Sequence, residues 1–149
     1  MKIAIASDHG GYELKKSLVE FLKSKKIEVE DLGTEGTESV DYPDFAILVG
    51  EKVSLKKVDA GILACGTGIG MSIVANKFKN VRAAVVADEY TAKMAKEHNN
   101  ANVLCLGGRV RNVEEVKKIV SIWLETAYAG GRHDRRLEKI QEIEKRNMK

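Results

Sequence analysis

One segment of the sequence, Gly66-Thr67-Gly68-Ile69-Gly70, places glycine at every second position. It follows an apolar run and precedes a helical pattern, so its backbone N–H groups can approach an anion. We interpret it as a candidate cradle for an oxyanion or a phosphate, the alternative being a tight turn without a ligand. A nucleotide is disfavoured, because a dinucleotide fingerprint needs glycine where Met71 stands and the Gly-Lys-Ser/Thr ending of a Walker loop is absent.

Cys65 lies immediately before this segment, at the end of the apolar run 62–64. A thiol that faces N–H donors at the start of a helix is stabilised as the thiolate, which acts as a base or a nucleophile. The alternative is a small buried apolar side chain, the commoner role of a cysteine, and position alone favours neither. Cys105, inside the apolar run 103–106, has no such neighbours and is predicted to lie in the core.

Polar side chains, most of them titratable, stand at the ends of other segments. Asp8 and His9 follow the first apolar run, His98 and Asn99 end a helical pattern, and His133 follows a pair of glycines and an arginine. A single histidine of this kind is usually an ordinary surface residue, but together with Asp8 the three supply general acids and bases. No two histidines have the i, i+4 spacing of a metal site, so we expect no metal.

Four arginines, Arg109, Arg132, Arg135 and Arg136, are candidates for a cationic site, because a guanidinium matches the geometry of a phosphate. The alternative is a solvated basic face. The chain has 25 Lys and Arg against 22 Asp and Glu, a net charge of +3, which is too even for binding nucleic acid through bulk charge. Any cationic site must therefore be local.

Five short apolar runs of strand type, at residues 2–7, 27–32, 59–65, 81–87 and 102–106, alternate with stretches of helical spacing. Apolar residues mark these helices within 14–22, 45–53, 73–78, 92–95 and 113–124. The alternation predicts βαβ units, and 149 residues suit one domain. We therefore predict an α/β fold: a single three-layer αβα domain with a five-stranded parallel, Rossmann-like sheet.

Ligands of such folds bind beyond the carboxyl ends of the strands. The segments 7–11, 65–70 and 107–109 follow the first, third and fifth runs, and 98–100 ends the helix after the fourth. We expect the polar residues of all four segments to gather in one site at that edge of the sheet.

The tail, 132–149, is predicted to be a further helix with a narrow apolar stripe of Leu137, Ile140 and Ile143. A narrow stripe is typical of a helix that lies on another surface, so we expect it to pack on a partner subunit. The alternative is a frayed, solvated end.

Targeting and redox signals favour an intracellular protein. Two cysteines cannot build a disulfide framework, and the amino-terminal apolar run 3–6 is too short for a signal peptide. No stretch approaches the roughly 18 apolar residues of a membrane span. We therefore expect a soluble protein in the reducing cytoplasm.

Seven motifs, taken in order, resemble the ribose-5-phosphate isomerase B family, within a wider group that includes galactose-6-phosphate and allose-6-phosphate isomerases. The resemblance covers nearly the whole chain, and seven matches in order are far more specific than one. The motifs are Ser7-Asp8-His9-Gly10-Gly11, Asp41-Tyr42-Pro43, Cys65-Gly66-Thr67-Gly68-Ile69-Gly70, Ala75-Asn76-Lys77, His98-Asn99, Gly107-Gly108-Arg109 and Gly130-Gly131-Arg132-His133.

The resemblance implies an aldose-ketose isomerisation through a cis-enediolate, with no cofactor. It implies that Cys65 moves the proton between C2 and C1, and that Thr67 assists proton movement between the oxygens. His98, with Asp8 nearby, would open the furanose ring. Some relatives use a serine with a glutamate one turn later, but Met71-Ser72 offers no carboxylate here. The implied substrate-binding residues are His9, Gly66, Gly68, Ile69, Gly70, Asn99, Arg109, Arg132 and Arg136.

The family also implies homodimers, or tetramers built from dimers, with sites shared between subunits and a small sugar phosphate as the ligand. Neither nucleic acid nor membrane is expected as a partner. Two alternatives stay open: a hexose-6-phosphate isomerase acting on allose or galactose 6-phosphate, and a non-catalytic phosphosugar-binding module. Such a module has no reason to place both a thiol and an imidazole around the anion loop. Arg135 and His133 receive no role.

Overall fold

The five apolar runs form one parallel sheet in the computed structural model, which describes residues 1–148. The strands are β1 (Lys2–Ser7), β2 (Glu28–Asp31), β3 (Ala60–Cys65), β4 (Ala83–Val85) and β5 (Val103–Gly107), in the spatial order β2-β1-β3-β5-β4. Every pairing is parallel, which confirms the predicted α/β architecture.

Helices cover both faces of the sheet, and α6 lies beside its β4 edge. Their bounds are α1 (Tyr12–Ser24), α2 (Tyr42–Ser54), α3 (Ile69–Ala75), α4 (Glu89–Glu97), α5 (Val113–Glu125) and α6 (Arg132–Asn147), with a short 3₁₀ turn at His9–Gly11 before α1. Within residues 1–148, no helix is long and apolar enough to cross a bilayer.

The core has two halves, one on each side of the sheet. Ile3 and Ile5 of β1 belong to the half formed with α1 and α5, whereas Ala4 and Ala6 belong to the half formed with α2 and α3. All four are fully buried, as is typical of a strand covered on both faces. The loops that leave the strand ends are therefore held by a rigid scaffold.

Two elements differ most from the sequence prediction. The third helix ends at Ala75, so Phe78 lies in the turn that follows and packs on Gly50 of α2. The fourth strand begins only at Ala83, because the Arg82 N–H donates to the side-chain Oδ1 of Asn102. A side-chain acceptor of this kind has no signature in hydrophobic periodicity.

The tail is a helix through Asn147, and the predicted end at Lys149 lies outside the described residues. Near the end of this helix, Glu144 contacts the rest of the chain by accepting a hydrogen bond from the Asn80 N–H at 2.9 Å. Ile140 and Ile143 of its apolar stripe remain about half exposed. This chain alone therefore does not cover the stripe.

Candidate active site

Three loops meet where β1, β3 and β5 end. Ser7 is level with Ala64, and Cys65 is level with Gly107. The loops bond to one another directly: the Gly108 N–H donates to the Cys65 carbonyl at 2.8 Å, and the Asp8 N–H donates to that of Ala64 at 3.2 Å. The order of the strands reverses between β1 and β3, which is where ligands bind in open parallel sheets.

The Cys65 thiol faces the glycine loop. Its Sγ accepts a hydrogen bond from the Gly68 N–H at 3.0 Å, and the residue is only 6% exposed. Gly68 adopts a positive φ of 85°, and a Cβ there would lie 3.0 Å from the Leu106 nitrogen, so a side chain fits neither the conformation nor the space. Glycine thus permits the turn that points an N–H group at sulfur.

The remainder of the glycine loop is open to solvent. Thr67 and Ile69 are exposed, and the Thr67 Oγ1 accepts a hydrogen bond from the Ile69 N–H at 3.2 Å. The N–H groups of the first turn of α3 have no acceptor inside the helix. The loop therefore presents donors to open space beside the thiol, as an oxyanion requires.

Asp8 and His9 are oriented by backbone groups. Asp8 is buried, and its Oδ1 accepts from the N–H groups of Gly10 at 2.9 Å and Gly11 at 3.2 Å. The His9 Nδ1 accepts from the Val40 N–H at 3.2 Å. A neutral His9 ring must therefore carry its proton on Nε2, which makes that atom a hydrogen-bond donor.

The Arg109 guanidinium lies across two of the loops. A methyl group added at Gly66 would be 3.1 Å from its Nη1, and one added at Gly10 would be 3.4 Å from its Nη2. Arg109 is exposed and forms no salt bridge within residues 1–148. Its charge is free to bind an anion beside the glycine loop.

Tyr42 lies at the candidate site, and its place in the sequence gives it no role there. A Cβ at Gly70 would lie 2.5 Å from the Tyr42 Cε1, so the ring sits directly on the glycine loop. The motif Asp41-Tyr42-Pro43 was the only signal, because nothing in the sequence places the start of α2 beside residue 70.

The remaining predicted residues lie elsewhere, and the expectation of one cluster per chain is wrong. Helix α4 runs back along the sheet, so His98 and Asn99 lie near the amino ends of the strands. There the Ala101 N–H donates to the Ala95 carbonyl, and the Gly61 N–H at the start of β3 donates to that of Asn102. From Gly61 to Cys65 the sheet spans about 13 Å, at roughly 3.3 Å per residue.

The start of α6 joins this second group. The Ala129 N–H donates to the Glu97 carbonyl at 3.0 Å, which brings the tail to the end of α4. The His133 ring stacks on that of His98, with ring centres 4.3 Å apart and planes 19° from parallel. Arg132 and Arg136 are exposed beside this pair and have no carboxylate partner within residues 1–148.

The predicted residues thus form two groups in one chain. The first, the Cys65 cluster, contains Asp8, His9, the segment 65–70 and Arg109. The second, the His98 cluster, contains His98, Asn99, Arg132 and Arg136. Each contains cationic or N–H donors suited to an anion. Within residues 1–148, no three His, Cys, Asp or Glu side chains come together as a metal-binding group.

Known proteins resemble this chain over its whole length. Residues 3–140 match the family model described as Ribose/Galactose Isomerase. Ribose-5-phosphate isomerase B of Escherichia coli is 47% identical over 97% of both chains. The structure of the Clostridium thermocellum enzyme of the same name is 53% identical over 98% of this chain and 99% of that one, with a TM-score of 0.96.

A third relative carries a ligand. The structure of ribose-5-phosphate isomerase B from Mycoplasma genitalium with bound ribulose-5-phosphate has a TM-score of 0.94 and 50% identity, over 97% of this chain and 96% of that one. Matches of this extent establish kinship of the complete chain and not of a single motif. The chain belongs to the ribose/galactose isomerase family.

Proposed function

We propose that the protein interconverts ribose 5-phosphate and ribulose 5-phosphate through a cis-enediolate. The observation that carries this proposal is the Cys65 thiol, which accepts the Gly68 N–H beside an open loop of further donors. The names of the relatives support the pentose phosphate as substrate, and one of those relatives binds ribulose-5-phosphate.

Enolisation needs a base and an acceptor for negative charge at the same place. Cys65, as the thiolate, takes the proton from C2 of the open-chain aldose and returns it to C1. Backbone N–H groups of the segment 66–70 bind the enediolate oxygens, where each key donor supplies about 3 to 4 kcal/mol. Thr67, exposed next to the thiol, assists the proton that moves between the two oxygens.

Phosphate binding requires donors at a distance from the thiol. His9 offers its Nε2–H, because Nδ1 already accepts the Val40 N–H. Arg109 adds an unpaired guanidinium at the edge of the glycine loop. Arg132 and Arg136, which lie beside His98, complete the set when a second copy of the chain brings them across.

Ring opening requires that His98 and Asn99 lie beside Cys65. We propose that the protein is a homodimer, in which His98 and Asn99 of one chain reach the Cys65 cluster of the other. Two such dimers can form a tetramer. In one chain the Cys65 cluster lies at the carboxyl ends of the strands, and the His98 cluster lies near their amino ends. Apolar side chains more than half exposed on α3, Ile69 and Ile73, together with the α6 stripe, supply surface for this contact.

Turnover of three sugar phosphates in excess EDTA tests the proposal. The steps above use only groups of the polypeptide, so ribose 5-phosphate should be converted with chelator present. Allose 6-phosphate and galactose 6-phosphate should be much poorer substrates. Preference for a hexose phosphate would contradict the assigned substrate, and loss of activity in EDTA with recovery on a divalent ion would contradict the mechanism.

A further inference from the structure

His133 is a buried imidazole that the proposed steps do not use. It is 7% exposed and is the only buried residue of α6 within the described chain. Its backbone is fixed, since its N–H donates to the Gly130 carbonyl at 3.1 Å and Gly131 before it has a positive φ of 58°. The ring is therefore a rigid surface under the end of α4.

His98, by contrast, has little else to hold its ring. Its side chain is 35% exposed, and it follows the last residue of α4. The nearest carboxylate oxygen, the Glu97 Oε1, is 3.7 Å from its Nε2, too far for a hydrogen bond. Within residues 1–148, the near-parallel stack on His133 is the one directional contact of this ring.

The charges around His133 favour its neutral form. Burial is the main cause that lowers the pKa of His133. The nearby His98, Arg132 and Arg136 lower it further, whereas Glu97 raises it. These groups come from both elements that surround the ring, α4 and α6. Burial and these charges therefore favour His133 as an uncharged flat ring.

We propose that His133 is a positioning residue for ring opening: its ring stacks on the His98 imidazole and holds it in the orientation that delivers a proton to the furanose oxygen. This inference rests on the proposed function. Misplacement of a catalytic group by about 1 Å costs on the order of 100-fold in rate, so a lost stack has a large effect. Enolisation at Cys65 is a separate proton transfer and does not need the stack.

Two variants separate the flat ring from its titratable nitrogens. His133→Phe keeps a flat ring, and His133→Ala removes it; His98→Asn serves as the reference. Each is assayed for conversion of ribose 5-phosphate and for exchange of the C1 proton of ribulose 5-phosphate with D₂O. The ketose cannot close to a furanose, so its exchange needs no ring-opening step.

His133→Ala should lower aldose conversion about 10- to 100-fold and leave C1 exchange within about twofold of the wild type. His133→Phe should restore most of the aldose rate with an unchanged pH profile, because the lost group is neutral. A merely structural role predicts equal loss of both activities and a lower melting temperature. Equal loss, no loss, or a His133→Phe variant as poor as His133→Ala would overturn the inference.

A measurement without substrate distinguishes this inference from the proposed function. In the NMR spectrum of the wild type, stacking should shift the His98 ring protons upfield, and His133→Ala should abolish that shift. An unshifted His98 in the wild type would refute the stack even if the enzyme is active. A wild type that does not convert ribose 5-phosphate would instead refute the proposed function.

Discussion

Cys65 and Cys105 carry the same thiol in the same half of the core, and their surroundings give them different chemistry. Cys105 is fully buried inside β5, and burial followed by the nearby Cys65 raises the pKa of its thiol well above the ordinary range. Cys65 ends its strand, where its Sγ accepts an N–H donor and adjoins an open loop. Of the two thiols, Cys65 is therefore the one placed to act in the proposed reaction.

Replacing Cys65 with alanine should lower kcat for ribose 5-phosphate by about 10²- to 10⁴-fold, the usual contribution of a general base. Sugar-phosphate binding should survive, because the groups proposed to hold the phosphate, His9 and the arginines, are unchanged. Cys65→Ser should be nearly as poor, since a hydroxyl is a much weaker acid. Single-turnover kinetics and calorimetric binding measure the two effects.

Cys105→Ala is the matched control, because it removes a thiol from the same half of the core as Cys65. It should reduce stability, because it removes buried volume, and should leave kcat within about twofold. If Cys65→Ala retains wild-type turnover, the base lies elsewhere in the site.

Sequence reasoning found the residues with reactive side chains and missed those defined by contact. Cys65, Asp8 and His9 stand out because each follows an apolar run directly. The tautomer of His9 depends on Val40, 31 residues away, and the position of Tyr42 on Gly70 depends on how α2 packs. Such contacts are products of the tertiary structure and leave no spacing in the sequence.

At the level of elements, strands β1, β3 and β5 follow the sequence closely because continuous apolar runs suit a sheet buried on both faces. The outer strands were harder to delimit. β2 contains Glu28, Glu30 and Asp31, and it is held partly by ion pairs: Lys52 of α2 hydrogen-bonds to Glu30, and Lys2 of β1 lies 3.8 Å from it. Charged pairs across elements are invisible to hydrophobic periodicity.

The Glu30 pair makes stability depend on pH. The hydrogen bond from Lys52 is the main cause that lowers the pKa of Glu30, and burial opposes it. A carboxyl whose pKa is lower in the folded state stabilises the fold above its unfolded pKa. That contribution disappears as pH falls through the folded pKa.

Glu30→Gln should therefore lower the free energy of unfolding at neutral pH by about 0.2 to 1 kcal/mol, the usual range for a partly exposed pair. The difference from the wild type should shrink to zero as the solution is acidified. Urea unfolding in steps from neutral to acid pH measures it. Glu28→Gln, an exposed carboxyl in the same strand with no salt bridge within residues 1–148, should show no such dependence. An equal loss in both variants would contradict the assignment to the Glu30 pair.

At the level of the whole molecule, one chain carries the two halves of the proposed site at opposite ends of its strands. Cys65 and His9 lie at the carboxyl ends of the strands, and His98 with two unpaired arginines lies near their amino ends. The sequence predicts both halves and the fold, but not their separation, because the direction in which α4 returns decides where His98 lies. The uncovered stripe of α6 and the exposed isoleucines of α3 are the surfaces that a second copy would use in the proposed dimer.

Mixing two inactive variants tests this account most directly. Cys65→Ala lacks the base and His98→Asn lacks the ring-opening group, so each alone should convert ribose 5-phosphate very slowly. If every site takes Cys65 from one chain and His98 from its partner, half of the dimers refolded from an equal mixture are mixed, and each has one intact site. Activity should then recover to about one quarter of the wild-type value. Activity that stays at the sum of the two single variants would contradict a site shared between chains.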